Sequence, residues 1–324
     1  MSERTDARRP VRRPLTLARR EGRAGLAFVT PTLVVVLAVV VVPIAWTVLL
    51  AFQRTRLVDL RTAGLLGRWT VDNLTAVLAS PGFWQALTTT LVYSVAGTAA
   101  SVALGLVAAL ALRRPFRGRG LLRSAMLLPY VAPVVAATFV WQVALDPQYG
   151  IVNVLGTRLL GWDGPVAFLG SRGDEVGLFG ATVTVPTALL TVIAFETWRY
   201  FPFAYLFLLA RLQAVPRDLE EAATVDGATP LQRLRHILLP QLAPVIALLC
   251  LLRLIVTFTK FDDVYLLTGG GAGTEVVAIR VYDALTARYD LGAAAAQSLL
   301  LAAVMALVLG VYLRLLAPRL EAED

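Results

Sequence analysis

The sequence predicts an all-α, polytopic membrane protein with six transmembrane helices, and three observations carry the prediction. The 324-residue chain is 57% hydrophobic and only 16% charged, whereas soluble domains carry about 25% charged residues. It contains several apolar runs of the roughly 20 residues that a helix needs to cross a bilayer. Its basic residues are also concentrated in alternate connections between those runs. Within lipid the backbone must satisfy its own hydrogen bonds, so each run is expected as an α-helix. Pro43, Pro129, Pro133 and Pro202 fall inside the runs and predict kinks.

The spans fall near residues 25–52, 85–112, 121–145, 183–210, 242–262 and 291–316. The first follows a basic stretch, as a secretory leader would. Its apolar run from Gly25 to Phe52 outlasts the about 7–15 residues of a leader and ends in an aromatic, so it reads as a retained span. The second carries Gly97, Ser101, Gly105 and Ala109 at four-residue spacing, a small-residue stripe on which another helix can pack closely. The organisation expected is a basic tail (1–24), a transmembrane domain (25–316) and a short C-terminal tail (317–324).

Orientation follows from the basic residues. Nineteen of the 30 lie in the N-terminal tail, in RRPFRGRGLLR, between Arg211 and Arg235, and at the C-terminal end. Eight lie in the alternate loops, at Arg54, Arg56, Arg61, Arg68, Arg158, Arg172, Arg280 and Arg288. The positive-inside rule therefore puts both termini and the segment 220–240 in the cytoplasm. Topology accounts for the net charge of +8, and no nucleic-acid partner is expected. The single Cys250 and lone His236 leave neither a disulfide nor a Cys- or His-based metal site, and no metal is expected.

One segment interrupts the apolar pattern: EEAATVDGATPLQRLRHILLP, residues 220–240. Pro216 can open a helix, with Asp218, Glu220 and Glu221 in its first turn, where the helix dipole favours negative charge. Leu219, Ala222, Ala223 and Asp226 share a face, and Gly227 is placed to end the helix in a left-handed conformation. Thr229 then serves as N-cap with Pro230 at N1; Leu231, Leu234 and Leu238 form a ridge with Ile237 beside it, and Pro240 marks the end. Two short helices at an angle are expected. They would serve as an amphipathic element on the membrane surface or as a docking element for a soluble partner. A DNA-reading helix-turn-helix shares the outline, but tethering at both ends between spans keeps it from a groove.

Ionisable groups inside spans cost roughly 2.5–3.5 kcal/mol each and usually face the bundle interior or an aqueous path. The fourth span carries Glu196, Arg199, Tyr200 and Phe203 on one face; the fifth carries Arg253, Thr257 and Lys260. Rings and hydrogen-bonding groups together suit a sugar. The basic groups suit an anionic ligand, or neutral hydroxyls equally. A structural alternative pairs Glu196 with Arg199 one turn away and places Lys260, Asp262 and Asp263 at the outer membrane edge. TGGGAGTE lacks the GK[ST] needed to hold a nucleotide, and no catalytic cluster is visible. The chain is read as a transporter component, not an enzyme. A secondary transporter is the rival, disfavoured by six spans without an internal repeat.

The order Glu221-Ala222-Ala223, then Asp226-Gly227-Ala228, then Ile237, Leu239 and Pro240 resembles the EAA loop of bacterial ABC-importer permeases. LLPYVAPVVAATFVWQVAL, ETWRYFPFAYLFLLARLQAVPRDLEEAATVDGA and FDDVYLLTGGGAGTE resemble the carbohydrate-uptake branch, of the maltose and glycerol-3-phosphate type, and the likeness covers roughly residues 25 to 316. Leu234 stands where that family usually has Phe, and Ala272 where GGGP is usual. The resemblance implies a type I importer permease fold in the bacterial cytoplasmic membrane. It implies that Glu221, Ala222, Ala223, Asp226, Gly227, Ile237, Leu239 and Pro240 couple to an ATPase. It implies too that the region of Glu196, Arg199, Tyr200, Phe203, Arg253, Thr257 and Lys260 lines the substrate path. The implied partners are a second, different permease subunit, two copies of a cytoplasmic ABC ATPase that uses ATP and Mg, and an extracellular solute-binding protein. No cofactor is expected on this chain itself. The cargo implied is a sugar or sugar derivative, with glycerol-3-phosphate or another polar solute as the alternative.

Overall fold

A computed structural model describes residues 17–59, 69–178 and 181–320. Most of the basic N-terminal tail, Arg61, Arg68 and the last residues of the C-terminal tail lie outside them. In chain order the helices are α1 (Leu17–Val36), α2 (Val42–Ala51), α3 (Asp72–Leu78), α4 (Pro81–Leu112), α5 (Arg119–Val131), α6 (Val134–Ala144) and α7 (Ile151–Leu159). A β-hairpin of β1 (Asp174–Leu178) and β2 (Ala181–Val185) precedes α8 (Thr187–Ala214), α9 (Arg217–Val225), α10 (Pro230–Arg233) and α11 (Leu239–Phe258). The chain continues through α12 (Asp262–Thr268), α13 (Val277–Thr286) and α14 (Leu291–Leu320).

Four helical stretches are long and apolar enough to cross a membrane: Gly25–Ala51, Pro81–Leu112, Pro230–Phe258 and Leu291–Arg314. The pair α5 and α6 makes a fifth when counted as one broken span. α8 has 28 residues, ample length, but Glu196 and Arg199 lower its apolarity, and it does not meet the same test. Counted with these five, it makes an architecture compatible with the six expected crossings.

Prolines shape the spans in two ways. Between α5 and α6 the axis turns by 97°. Ala132 there is extended (ψ 138°) because it precedes Pro133, which disfavours the helical region for its neighbour. The expected kink is thus a break, while Pro129 sits within α5. Ahead of Pro43 and Pro240 the chain instead makes a single π-turn, Leu37–Val41 and Leu234–Leu238. Val42 N–H donates to Leu37 O and Leu239 N–H to Leu234 O, a wider turn into which a residue without an N–H fits. Pro240 therefore does not end the second helix of the charged segment, as the sequence suggested. That helix runs on into the fifth span as one element from Pro230 to Phe258.

The β-hairpin is the other departure from the expected pattern. The alternating β-branched residues of ATVTV form β2, paired antiparallel to β1 with Asp174 opposite Val185, so α8 starts at Thr187 and not near 183. Asp174 accepts hydrogen bonds from the hydroxyls of Thr187 and of Ser171 (2.7 Å), which hold its carboxyl below the ordinary aspartate value and pin the hairpin to α8.

The centre of the bundle is the α4–α8 contact. All four residues of the small stripe are buried. A Cβ on Gly105 would lie 2.7 Å from Ala204 Cβ and 2.8 Å from Tyr205 N, so the two backbones meet there without side chains between them. Gly105→Val is expected to cost about 1–3 kcal/mol by overpacking, read as a lowered melting temperature in detergent; unchanged melting would contradict this account. Around that contact, Val102, Leu112, Tyr205, Leu208, Leu242 and Leu249 form one core, and Tyr93, Val192, Phe195, Val264 and Ile279 another. By contrast, the first span buries nothing within the chain over its most apolar window.

Candidate functional site

Two clusters of functional side chains lie at different levels of α4 and α8. The first is a buried ion network. Glu196 on α8, fully buried, is bonded to Arg253 on α11 and lies 3.7 Å from Lys260. Tyr93 Oη of α4 and Thr257 Oγ1 each donate to its carboxylate at 3.0 Å. Lys260 also pairs with Asp263 of α12 at 3.0 Å and bonds the hydroxyl of Tyr200. The Arg253 guanidinium stands 4.1 Å from the Tyr200 ring centroid, Lys260 Nζ 3.7 Å and the Arg199 guanidinium 5.6 Å, so one ring faces three cations.

The sequence placed Glu196, Arg253, Thr257, Lys260 and Tyr200 in one region, and the fold brings them together. It does not join Glu196 to Arg199. Arg199 instead donates to the carbonyl of Ala132 at 3.0 Å, the group left without a helical partner by the α5–α6 break. α11 offers Glu196 a cation directly opposite, and Arg199 is engaged by the Ala132 carbonyl. Asp263 is fully buried within the chain. Its spacing of three from Lys260 was the signal for that pair; Tyr93, alone in its span, gave none.

From Tyr200 an aromatic file continues along α8. Tyr130 of α5 sits 6.0 Å from Tyr200 and 6.1 Å from Phe203, and Phe203 lies 4.9 Å from Phe207. Tyr130 and Phe207 are exposed, so the file opens on one side of the chain. The arrangement offers ring faces beside hydroxyl and guanidinium donors, with the four charges behind it already paired two against two.

The second cluster is the charged segment, which is the helical hairpin expected. α9 ends in a Schellman turn: Gly227 N–H donates to Thr224 O, Ala228 N–H to Ala223 O, and Gly227 has φ +79°. Thr229 caps the next helix in a reciprocal capping box with Gln232. Glu221, Ala222, Asp226, Gly227 and Pro240 are exposed, and Ala223, Ile237 and Leu239 half-buried. The expected leucine ridge divides: Leu234 and Leu238 pack into the core, while Leu231 and Val225 point outward. Sequence reasoning gave Glu220 only a helix-dipole role, yet both its oxygens accept from Arg113, at 2.7 Å each. Behind the hairpin lies a cavity of about 690 Å³ lined in part by Arg113, Arg114, Arg119, Glu220, Glu221 and Arg233.

A membrane bundle with a capped hairpin between its fourth and fifth spans defines a permease component, and comparison with known proteins assigns its kind. The chain belongs to the family of binding-protein-dependent transport system inner membrane components, whose pattern it matches over residues 101–322. It is 35% identical to the inner membrane ABC transporter permease protein YcjO of Escherichia coli (strain K12), over 86% of this chain and 91% of that one. It is 32% identical to the trehalose transport system permease protein SugA of Mycobacterium tuberculosis (strain ATCC 25618 / H37Rv), over 91% and 89%. Its fold superposes on a chain from the crystal structure of a bacterial alginate ABC transporter, in complex with an alginate pentasaccharide-bound periplasmic protein, with a TM-score of 0.71. That match covers 93% of this chain and 96% of the other at 20% identity. The chain is thus a transporter component, and the resemblance read from its motifs holds.

Proposed function

We propose that the chain is one of two different permease subunits of an ATP-driven importer that receives a sugar or sugar derivative from an extracellular binding protein. The aromatic file of Tyr130, Tyr200, Phe203 and Phe207, with Arg199 beside it, carries the choice of cargo. Sugar rings stack their C–H faces on aromatic rings while their hydroxyls take hydrogen bonds from neighbouring donors. The pairing of Arg253 and Lys260 with Glu196 and Asp263 leaves Arg199 as the cation beside the file with no acid partner among the described residues, and it suits neutral hydroxyls and an anionic group equally. The relatives' names, trehalose among them, support the same class of cargo.

The basic connections support a cytoplasmic hairpin and cytoplasmic termini. In that orientation Glu221, Ala222, Ala223, Asp226, Gly227, Ile237, Leu239 and Pro240 form the seat for a cytoplasmic ATPase that binds ATP and Mg. This chain supplies no nucleotide site of its own to the cycle. The test is uptake of labelled sugars by liposomes carrying both permeases, the ATPase and the binding protein. Tyr200→Ala and Phe203→Ala are expected to lower uptake about tenfold, the loss of 1–3 kcal/mol typical of a stacking contact, with the complex still assembled. Unchanged uptake in both variants would remove the aromatic file from the path.

A further inference from the structure

The hairpin touches the spans in an unusual way. Leu234 and Leu238 root its second helix in the core, but its first helix, α9, stands off across the cavity. What bridges that gap is Arg113, the residue capping the C-terminal end of α4. Its two terminal nitrogens donate to the two oxygens of Glu220 in a parallel fork, both at 2.7 Å. Among the described residues this is the one ion pair joining the hairpin to a span. A bidentate guanidinium–carboxylate pair fixes orientation as well as distance, which a lysine could not do. Both side chains are about four-fifths buried, at 20% and 22% exposure, so the pair is partly shielded from water.

The other end of the connection is α4 itself, 32 residues and about 48 Å of continuous helix. Along it, Gly105 lies against the α8 backbone, a Cβ on Gly97 would lie 3.1 Å from the Glu196 side chain, Tyr93 donates to Glu196, and Thr90 accepts from Val277 N–H at 3.0 Å. A displacement of Arg113 along the helix axis is therefore felt at the ion network and at the opposite face of the protein.

Resting on the function proposed above, we propose that the Arg113–Glu220 pair is the positioning contact by which the hairpin drives α4. Neither residue touches cargo or nucleotide. In the complete transporter in liposomes, Arg113→Glu and Glu220→Arg are each expected to reduce sugar imported per ATP hydrolysed about tenfold, within the range that coupling energies produce. The KM for ATP should stay unchanged. The double charge swap should restore coupling to near the wild-type ratio. Wild-type coupling in either single variant, or an assembled double variant that stays uncoupled, would overturn the proposal. If a reversal prevents assembly, Arg113→Gln and Glu220→Gln carry the same expectation. Should the wild-type transporter import no sugar with its binding protein, the proposed function fails instead. Amide exchange of α9 in the chain alone then still decides the pair: it should rise in Arg113→Gln and return to wild-type protection in the swap, and unchanged exchange would refute it.

Discussion

Replacing Glu196 by alanine is expected to destabilise the protein by about 3–5 kcal/mol, the cost of leaving buried charges without their partner. Arg253 and Lys260 would face each other across a space closed to water, with only Asp263 near enough to answer them. Tyr93 and Thr257 would lose the acceptor for their hydroxyls as well. Glu196→Gln keeps the shape and one acceptor, so its loss should be smaller. Glu196→Ala combined with Arg253→Met removes both members of the closest pair, and should be milder than the single alanine variant. Melting of the purified chain in detergent measures all three, and a single alanine variant as stable as wild type would show that the network contributes little.

Gly227→Pro is expected to abolish import while leaving the membrane bundle folded. Proline holds φ near −65° and has no N–H, whereas Gly227 sits at +79° and donates to Thr224. The turn cannot form, and α9 loses its angle to α10. Nothing lies within 4 Å of the position a Cβ would take, so smaller substitutions meet a conformational penalty and no clash. Gly227→Ala should cost about 1–2 kcal/mol at the turn, and Gly227→Asn less, since asparagine tolerates the left-handed region. Import should follow the order Gly, Asn, Ala, Pro, with the melting temperature nearly constant. Wild-type import in the proline variant would remove the turn from the coupling mechanism.

The features legible in the sequence are those fixed by short spacings. The Gly227 turn, the Thr229 cap and the small-residue stripe through Gly105 each depend on residues within a turn or two of their neighbours in the pattern. Apolar runs marked the spans for the same reason. Pairings between distant segments were not legible: Glu196 chooses Arg253, 57 residues away, over Arg199 at three, and no local rule decides that. Arg113 and Glu220 lie 107 residues apart and looked like ordinary connection charge. The prolines were ambiguous in a physical sense. A π-turn absorbs the missing N–H at Pro43 and Pro240, while at Pro133 the preceding residue leaves the helix altogether, and neighbouring packing selects between these outcomes.

Pairing two acids with two bases around Tyr200 also bears on how the protein meets the electric field of an energised membrane. One elementary charge carried across that field exchanges about 2.3 kcal/mol for every 100 mV. The four paired charges cancel, so a rigid shift of α4, α8 and α11 moves them with nearly cancelling electrical work. Arg199 of α8, bonded to a carbonyl and to no acid among the described residues, remains as a charge the field can act on. Within the site, the voltage across the bilayer therefore acts on that step through Arg199 and not through the buried network.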